Sequence, residues 1–281
     1  MAKTVAEIRA MKGEKLISMV TSYDYSMAVL AEKAGIDFIL VGDSLGMTMM
    51  GYDSTLPVTM DDMVHHTACV TRGARNTVVV GDMPFGAYHA SVEDAVRNAL
   101  RLVKEGGAQA IKLEGGVRVA KHIKAIVESA IPVQGHVGMT PQSSNVFGGF
   151  KVQGKTADSA KLIVEDALAV QDAGAFSVVI ECVPPNLAMY ITKLLDIPTI
   201  GIGAGNECDG QVLVTQDMMA MNMGFRPKFV KPYGQIGQNM IDAYQEYDAE
   251  VKSGAFPAPE HDYKALDDDI MAEIERAYPL H

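Results

Sequence analysis

Two stretches share one pattern, and that pattern narrows what the chain can fold into. In DFILVGDSLG the apolar run Phe38–Val41 leads straight into Gly42, Asp43 and Ser44. About forty residues later TVVVGDMPF repeats it, with Asp82 in the place of Asp43. An apolar run this short, bounded by glycine, reads as a buried strand of a parallel sheet. A carboxylate at the end of such a strand is a poor core residue, because a lone buried charge is costly. It belongs at the mouth of the sheet, facing a ligand. Two strands that each end Val-Gly-Asp can bring two carboxylates together at one end of a barrel.

The rest of the chain repeats the alternation. Thr4 and Glu7 form a capping box ahead of a short helix. Strands are expected at Ile17–Thr21, Phe38–Val41, Thr77–Val80, Ala110–Leu113, Pro132–Gln134, Ser177–Ile180, Pro198–Ile202 and, least distinctly, Val212–Thr215. Helical segments fall between most of them, including one opening near Thr59, one at Ser91–Glu105 and one at Ala157–Ala173. Eight short apolar strands alternating with helices give an α/β fold, a (β/α)8 TIM barrel. Only about nine residues separate the last two strands, too few for an ordinary crossover helix. An open doubly wound sheet is therefore the competing architecture. The barrel domain is expected over residues 1–255, with a C-terminal extension over 256–281. That extension opens on the Pro-rich, acidic AFPAPEHDYKALDDD and ends in a helix at Asp269–Ala277. It can wrap a neighbour, dock on the barrel or stay mobile.

The balance of charge excludes one class of partner. A net charge of −11 argues against a nucleic-acid partner, whose phosphates call for a clustered basic surface. Cys69, Cys182 and Cys208 are odd in number and far apart, which fits a reducing compartment better than a disulfide framework. The opening MAKTVAEIRA lacks an apolar signal core, and no stretch approaches the length of a membrane span. The expectation is a cytoplasmic protein.

In a barrel the chemistry sits where the strands end. The polar residues expected there are Asp43, Asp82, Lys112, Glu114, His136 and Glu181, supplied by strands two to six. Asp43 and Asp82 are hard oxygen ligands suited to Mg²⁺; the alternative for each is a helix cap. Lys112 and Glu114 lie two apart in AIKLEGG and so share one face of their strand. Facing inward, Lys112 can meet a substrate carboxylate or oxyanion, and Glu114 can help hold a metal directly or through water. A structural Lys–Glu pair is the alternative. Glu181 follows four residues of strand and precedes Cys182-Val-Pro-Pro, a setting in which a carboxylate can act as a base; a metal ligand or a cap are its other readings. Cys182 alternates to the opposite side and reads as packing. His136 can order the site from behind its contacts or polarise a carbonyl, and a histidine satisfied by a loop fits equally well. His65 and His66 lack metal-ligand spacing. The glycine-rich IGIGAG, residues 200–205, is read as a tight turn in preference to a phosphate loop.

Taken together, these residues resemble a known family. TSYDYSMAVLAEKAGIDFILVGDSLGMTMMGYDSTLPVTMDDM is similar to the opening signature of the ketopantoate hydroxymethyltransferases. DMPFGAY, IKLEGG, GHVGMTPQS, GGFKVQGK, ECVP and GIGAGNECDGQVLV follow in the family's order, so the resemblance spans about residues 4–264. It implies a barrel related to the phosphoenolpyruvate/pyruvate enzymes. It also implies Mg²⁺ as cofactor and 5,10-methylenetetrahydrofolate as co-substrate. The reaction implied adds a hydroxymethyl group to 3-methyl-2-oxobutanoate, giving 2-dehydropantoate for coenzyme A synthesis. By position Asp43, Asp82 and Glu114 match the acidic groups at the metal. Ser44 matches a residue whose backbone meets the oxoacid, Lys112 an oxoacid ligand, and Glu181 the proton acceptor. The chain departs from the family pattern at Gly81, where alanine is expected, and near Gln216, where histidine is expected. The family implies a homo-oligomeric ring, a decamer. A Mg²⁺-dependent 2-oxoacid lyase or mutase of the same superfamily is the rival activity.

Overall fold

The computed structural model describes residues 3–222, 224 and 226–280. Its contacts divide at Gly234–Gln235 into two units. In the first, strands β1 (Ile17–Thr21), β2 (Phe38–Val41), β3 (Val78–Asp82), β4 (Ala110–Lys112), β5 (Val133–Gly138), β6 (Ser177–Glu181), β7 (Thr199–Ile202) and β8 (Gly210–Leu213) are parallel neighbours in chain order. The barrel closes because Ile17 to Val20 of β1 stand in register with Gly210 to Leu213 of β8. That pairing shows the (β/α)8 barrel and excludes the open sheet.

The strands are largely buried on both faces, Ser18 of β1 and Gln211 of β8 being exposed, and alternation sorts their side chains. Ile39, Val41, Val79, Ile111, Val133, Val178 and Ile180 pack outward against the helices. Met19, Phe38, Leu40, Val78, Val80, Ala110, Val179 and Val212 fill the barrel itself. Ile8 joins this inner cluster from the capped helix Val5–Ala10, which covers the end where the strands begin. The expected capping box of Thr4 and Glu7 is in place, and side chains also cap three later helices: Thr59 opens Met60–Gly73 with Asp62 as its reciprocal partner, Ser91 opens Val92–Lys104, and Thr156 opens Ala157–Asp172.

The strand boundaries shift at two places. β5 runs on to Gly138, so His136 lies in a strand and not on the loop after it. β8 begins at Gly210, earlier than Val212, and it ends at Leu213, before Thr215, which opens a one-turn helix and whose amide donates to the Thr21 hydroxyl. Residues 203–209 contain no crossover helix. Asp209 ties this short connection instead. Its carboxylate accepts from the Thr199 amide at 2.8 Å, the Thr199 hydroxyl at 3.0 Å and Lys12 Nζ at 2.8 Å.

The second unit, from Gln235 on, contains the helices Ile236–Ser253 and Asp268–Ala277 joined by a 3-10 turn at Pro259–His261. The boundary at Gly234 differs from the expected one at residue 255, and it groups the long helix with the tail. In that helix only Gly237 is buried, while Tyr244, Tyr247 and Val251 are exposed. No helix among the described residues is long and apolar enough to cross a membrane.

Candidate active site

The strand ends of the barrel deliver one polar layer above the apolar filling. Asp82 closes β3 on the same face as Val78 and Val80, and it stands in register with Lys112, the last residue of β4. His136 lies two residues beyond Gln134 in β5, and Glu181 lies two beyond Val179 in β6. Asp43 follows β2, and Glu114 follows β4 by two residues. Asp43, Asp82, Lys112, Glu114 and His136 are all 5% exposed or less, so water screens them little. The Glu181 side chain, 15% exposed, reaches toward solvent.

Their contacts form one connected set. Lys112 Nζ lies 2.8 Å from Asp82 Oδ1 and 3.4 Å from His136 Nδ1. The other Asp82 oxygen accepts from the Asp43 amide at 3.2 Å. His136 is the hub: its Nδ1 lies 3.5 Å from Glu114 Oε1, and its Nε2 lies 3.2 Å from Glu181 Oε2. The ion partner of Lys112 is thus Asp82, in place of the Lys112–Glu114 pair that spacing alone allowed. Ser44 sits just before the one-turn helix Leu45–Thr48, its hydroxyl 2.9 Å from the buried Tyr23 hydroxyl. His66, on the helix Met60–Gly73, hydrogen-bonds the Tyr23 carbonyl, which anchors the loop after β1. Cys182 has its thiol pushed up to about 12 by burial, which suits a packing role. It sits at φ 47°, and Gly138 opposite has φ 93° and no room for a Cβ beside the Glu181 carbonyl.

Electrostatics single out the two aspartates. Burial, then repulsion from Asp82 and Glu114, holds the Asp43 carboxyl well above the usual carboxylate range. Asp82 is also raised by burial, although Lys112 opposes the shift. Lys112 itself is raised despite its burial, by Asp82, Glu114 and Asp43. Glu114 is lowered despite burial, chiefly by His136. Burial and Lys112 both disfavour a charged His136, yet its contacts with Glu114 and Glu181 raise it to about 9.

That value makes a prediction. His136 exceeds its ordinary 6.5, so the stability it contributes is complete below pH 6.5 and fades as pH climbs through about 9. Nitrogen NMR of the imidazole in metal-free protein is expected to show both ring nitrogens protonated at pH 7.5. A ring titrating near 6.5 contradicts the assignment of His136 as the cation between Glu114 and Glu181.

The charges fit a divalent cation. With Asp43, Asp82, Glu114 and Glu181 ionised, Lys112 and His136 balance only half the negative charge. Asp82 Oδ1, Glu114 Oε1 and His136 Nε2 are buried without a well-aligned hydrogen-bond partner, although each has an ionic neighbour. Native interiors leave few such atoms, and clusters of them mark functional sites. Among the described residues, no three His, Cys, Asp or Glu side chains converge as ready-made metal ligands. Asp43 and Asp82 supply two carboxylates, and Glu114 is turned to His136 and to the Gln142 amide at 3.0 Å. Two carboxylates completed by water and substrate oxygens are the habit of Mg²⁺.

Comparison with known proteins now decides the family. The family model described as ketopantoate hydroxymethyltransferase matches residues 2–259. The chain belongs to the ketopantoate hydroxymethyltransferase family. It is 55% identical over 276 residues to 3-methyl-2-oxobutanoate hydroxymethyltransferase of Clostridium botulinum (strain 657 / Type Ba4), covering 98% of this chain and 100% of that one. The Enterococcus faecalis (strain ATCC 700802 / V583) protein of the same name is 58% identical over 264 residues, covering 94% and 95%. The chain is accordingly an enzyme, a hydroxymethyltransferase. Among solved structures, phosphonopyruvate hydrolase in complex with oxalate and Mg²⁺ superposes with a TM-score of 0.60 at 13% identity, covering 98% of this chain and 99% of that one. A 2,3-dimethylmalate lyase of the PEP mutase/isocitrate lyase superfamily gives 0.58 at 16%, covering 98% and 100%. At these identities the two structures share the fold.

Ionisable groups at strand ends do not include Gln142, which bridges the Asp43 and Glu114 carboxylates, or Tyr88, which holds Gln142 and the Glu114 main chain. Both are neutral and lie on loops, within GHVGMTPQS and DMPFGAY. Only the family-like motifs around them carried a signal.

Proposed function

We propose that this hydroxymethyltransferase joins 3-methyl-2-oxobutanoate to the one-carbon unit of 5,10-methylenetetrahydrofolate, giving 2-dehydropantoate. One observation supports this most: two buried, mutually repelling aspartates stand beside a buried lysine, with a glutamate 15% exposed across the same mouth. A Mg²⁺ held by Asp43 and Asp82, with Glu114 acting through water, would polarise the keto carbonyl and offset charge developing on its oxygen. Lys112 adds a fixed positive charge for the substrate's oxygens, which costs no reorganisation because Asp82 already orients it. The loop after β2 places the Ser44 main chain beside the same mouth, braced by the contact of its hydroxyl with Tyr23.

Glu181 takes the proton from C3, the branched carbon. His136, facing Oε2 at 3.2 Å, steadies one carboxylate oxygen and leaves Oε1 for the substrate. Water cleaves both carbon–nitrogen bonds of the folate methylene, its protons passing to the two folate nitrogens and its oxygen staying on the released one-carbon unit as a carbonyl. The carbanion-like C3 forms its bond to that carbon, and the carbonyl oxygen takes up the proton removed from C3 to become the hydroxyl. Product formation from the two substrates, followed by proton NMR, tests this reading. Carbon–carbon cleavage of a 2-oxoacid without folate, and no hydroxymethyl transfer, would assign the barrel to a lyase instead.

We also propose that the enzyme works as a homo-oligomer, a decamer. The resemblance to the family and the exposed apolar residues Tyr244, Tyr247, Val251, Ile270 and Ile274 support this. Light scattering is expected to return the mass of ten chains; a monomer contradicts it.

A further inference from the structure

The loop after β5 does more than connect β5 to the next helix. It opens with a 3-10 turn at Pro141–Ser143, and Gln142 within that turn is 4% exposed. Every polar group of Gln142 except its main-chain carbonyl is committed to the active site. Its side-chain Nε2 donates to Asp43 Oδ2 at 2.8 Å and to the Met83 carbonyl at 2.9 Å. Its Oε1 accepts from the Tyr88 hydroxyl at 2.7 Å. Its main-chain amide donates to Glu114 Oε2 at 3.0 Å. Tyr88, 1% exposed, is held in turn by the Glu114 amide, which donates to its hydroxyl at 3.2 Å.

These partners fix which way the amide points. The Met83 carbonyl can only accept, so it requires the NH2 end of Gln142. Tyr88 supplies a hydroxyl proton to the oxygen end. A flipped amide would set two carbonyl oxygens against each other and leave the Tyr88 proton only the longer contact with the Glu114 carbonyl, at 3.2 Å. The NH2 group is thereby aimed at Asp43, the carboxylate under the strongest repulsion. A donor there favours the ionised form and holds Oδ2, which leaves Oδ1 to face the mouth. Removal of that donor leaves Asp43 Oδ2 buried between Asp82 and Glu114 with nothing opposite it.

We propose that Gln142, locked by Tyr88, is a positioning residue that sets the orientation of Asp43, and through its backbone that of Glu114, for binding of a divalent cation. The inference rests on the reading above that Asp43 and Asp82 hold that cation. Partners behind ligands in this way govern affinity by about 10–100-fold.

The test uses Gln142→Met, which keeps length and removes the donors and acceptor, and Tyr88→Phe, which removes only the hydroxyl. Mn²⁺ binding to metal-free protein is followed by paramagnetic resonance of the free ion, with Asp43→Asn as control. Crystal structures of both variants are determined in chelator. The expected result is Mn²⁺ binding weakened about tenfold or more in Gln142→Met and less in Tyr88→Phe. In the crystals the Asp43 carboxylate is expected to turn from its wild-type orientation, with the barrel unchanged. Mn²⁺ affinity within twofold of wild type, or an Asp43 carboxylate held in place in both variants, overturns the proposal. Wild-type Mn²⁺ binding that survives Asp43→Asn would instead remove the aspartates as metal ligands. The crystal structures would then still decide whether Gln142 orients Asp43.

Discussion

Glu181→Gln is expected to bind 3-methyl-2-oxobutanoate within a few-fold of the unsubstituted enzyme and to lose turnover by about 10²–10⁴-fold, the usual contribution of a positioned general base. The substitution keeps the size of the side chain and an oxygen able to face His136. It removes the carboxylate's charge and with it the ability to accept a proton, while Glu114 remains as the ionic partner of His136. Glu181 lies at the rim of the polar layer and not within it, so the fold has little at stake: its side chain is 15% exposed, against 2–4% for Asp82, Lys112 and Glu114. Binding by calorimetry and turnover by NMR separate the two effects. Turnover close to wild type would remove Glu181 as the base. Loss of binding as large as loss of turnover would make it an oxoacid ligand.

The two aspartates are expected to behave alike toward metal and oppositely toward stability. Asp43→Ala, Asp82→Ala and the double variant are each expected to abolish metal-dependent oxoacid binding in calorimetry. Chelated protein separates them. Among the described residues Asp43 has no cationic partner within ion-pair distance, and repulsion from Asp82 and Glu114 outweighs the attraction of Lys112, so removing its charge relieves strain and leaves the melting temperature level or higher. Asp82 is the ion partner of Lys112 at 2.8 Å, with both side chains almost fully buried. Its removal strands a buried ammonium, a loss on the order of 3–5 kcal/mol when a buried pair is broken from one side. Glu114, lying two residues on along the same segment, can recover part of it. Equal stability changes in the two single variants would show that Lys112 is not paired as described. Metal-dependent binding that persists in the double variant would end the assignment of the site.

Much of this was legible in the sequence because strands and caps are local. Phe38–Val41 and Ile17–Thr21 end where apolar runs end, and Thr4 caps its helix through bonds to Glu7 three residues away. The site residues were legible for a related reason. A charge following an apolar strand has few places to go, and in a closed barrel it goes to the mouth. Contacts between distant strands were not legible. His136 read as a residue behind the site, yet it stands between Glu114 and Glu181, because β5 extends to Gly138 and turns the ring inward. Lys112 paired across to Asp82 and not along its own strand, since the β3–β4 register sets those two side by side. Gln142 and Tyr88 carry no charge, so a search for ionisable chemistry passes over them. The start of β8 was misplaced because Asp209, by holding Thr199 and Lys12, closes the barrel without the crossover helix that spacing rules require.

The central claim is that Glu181 removes the C3 proton of the oxoacid in a site assembled by Asp43, Asp82 and Lys112. Its most direct test is exchange of that proton in heavy water, followed by proton NMR with Mg²⁺, with chelator and with Glu181→Gln. The arms are run with and without tetrahydrofolate, so that a requirement for bound folate is visible. The account predicts loss of the C3 proton signal only when Mg²⁺ and Glu181 are both present. Exchange that continues at the same rate in Glu181→Gln, or that is indifferent to chelator, would contradict it.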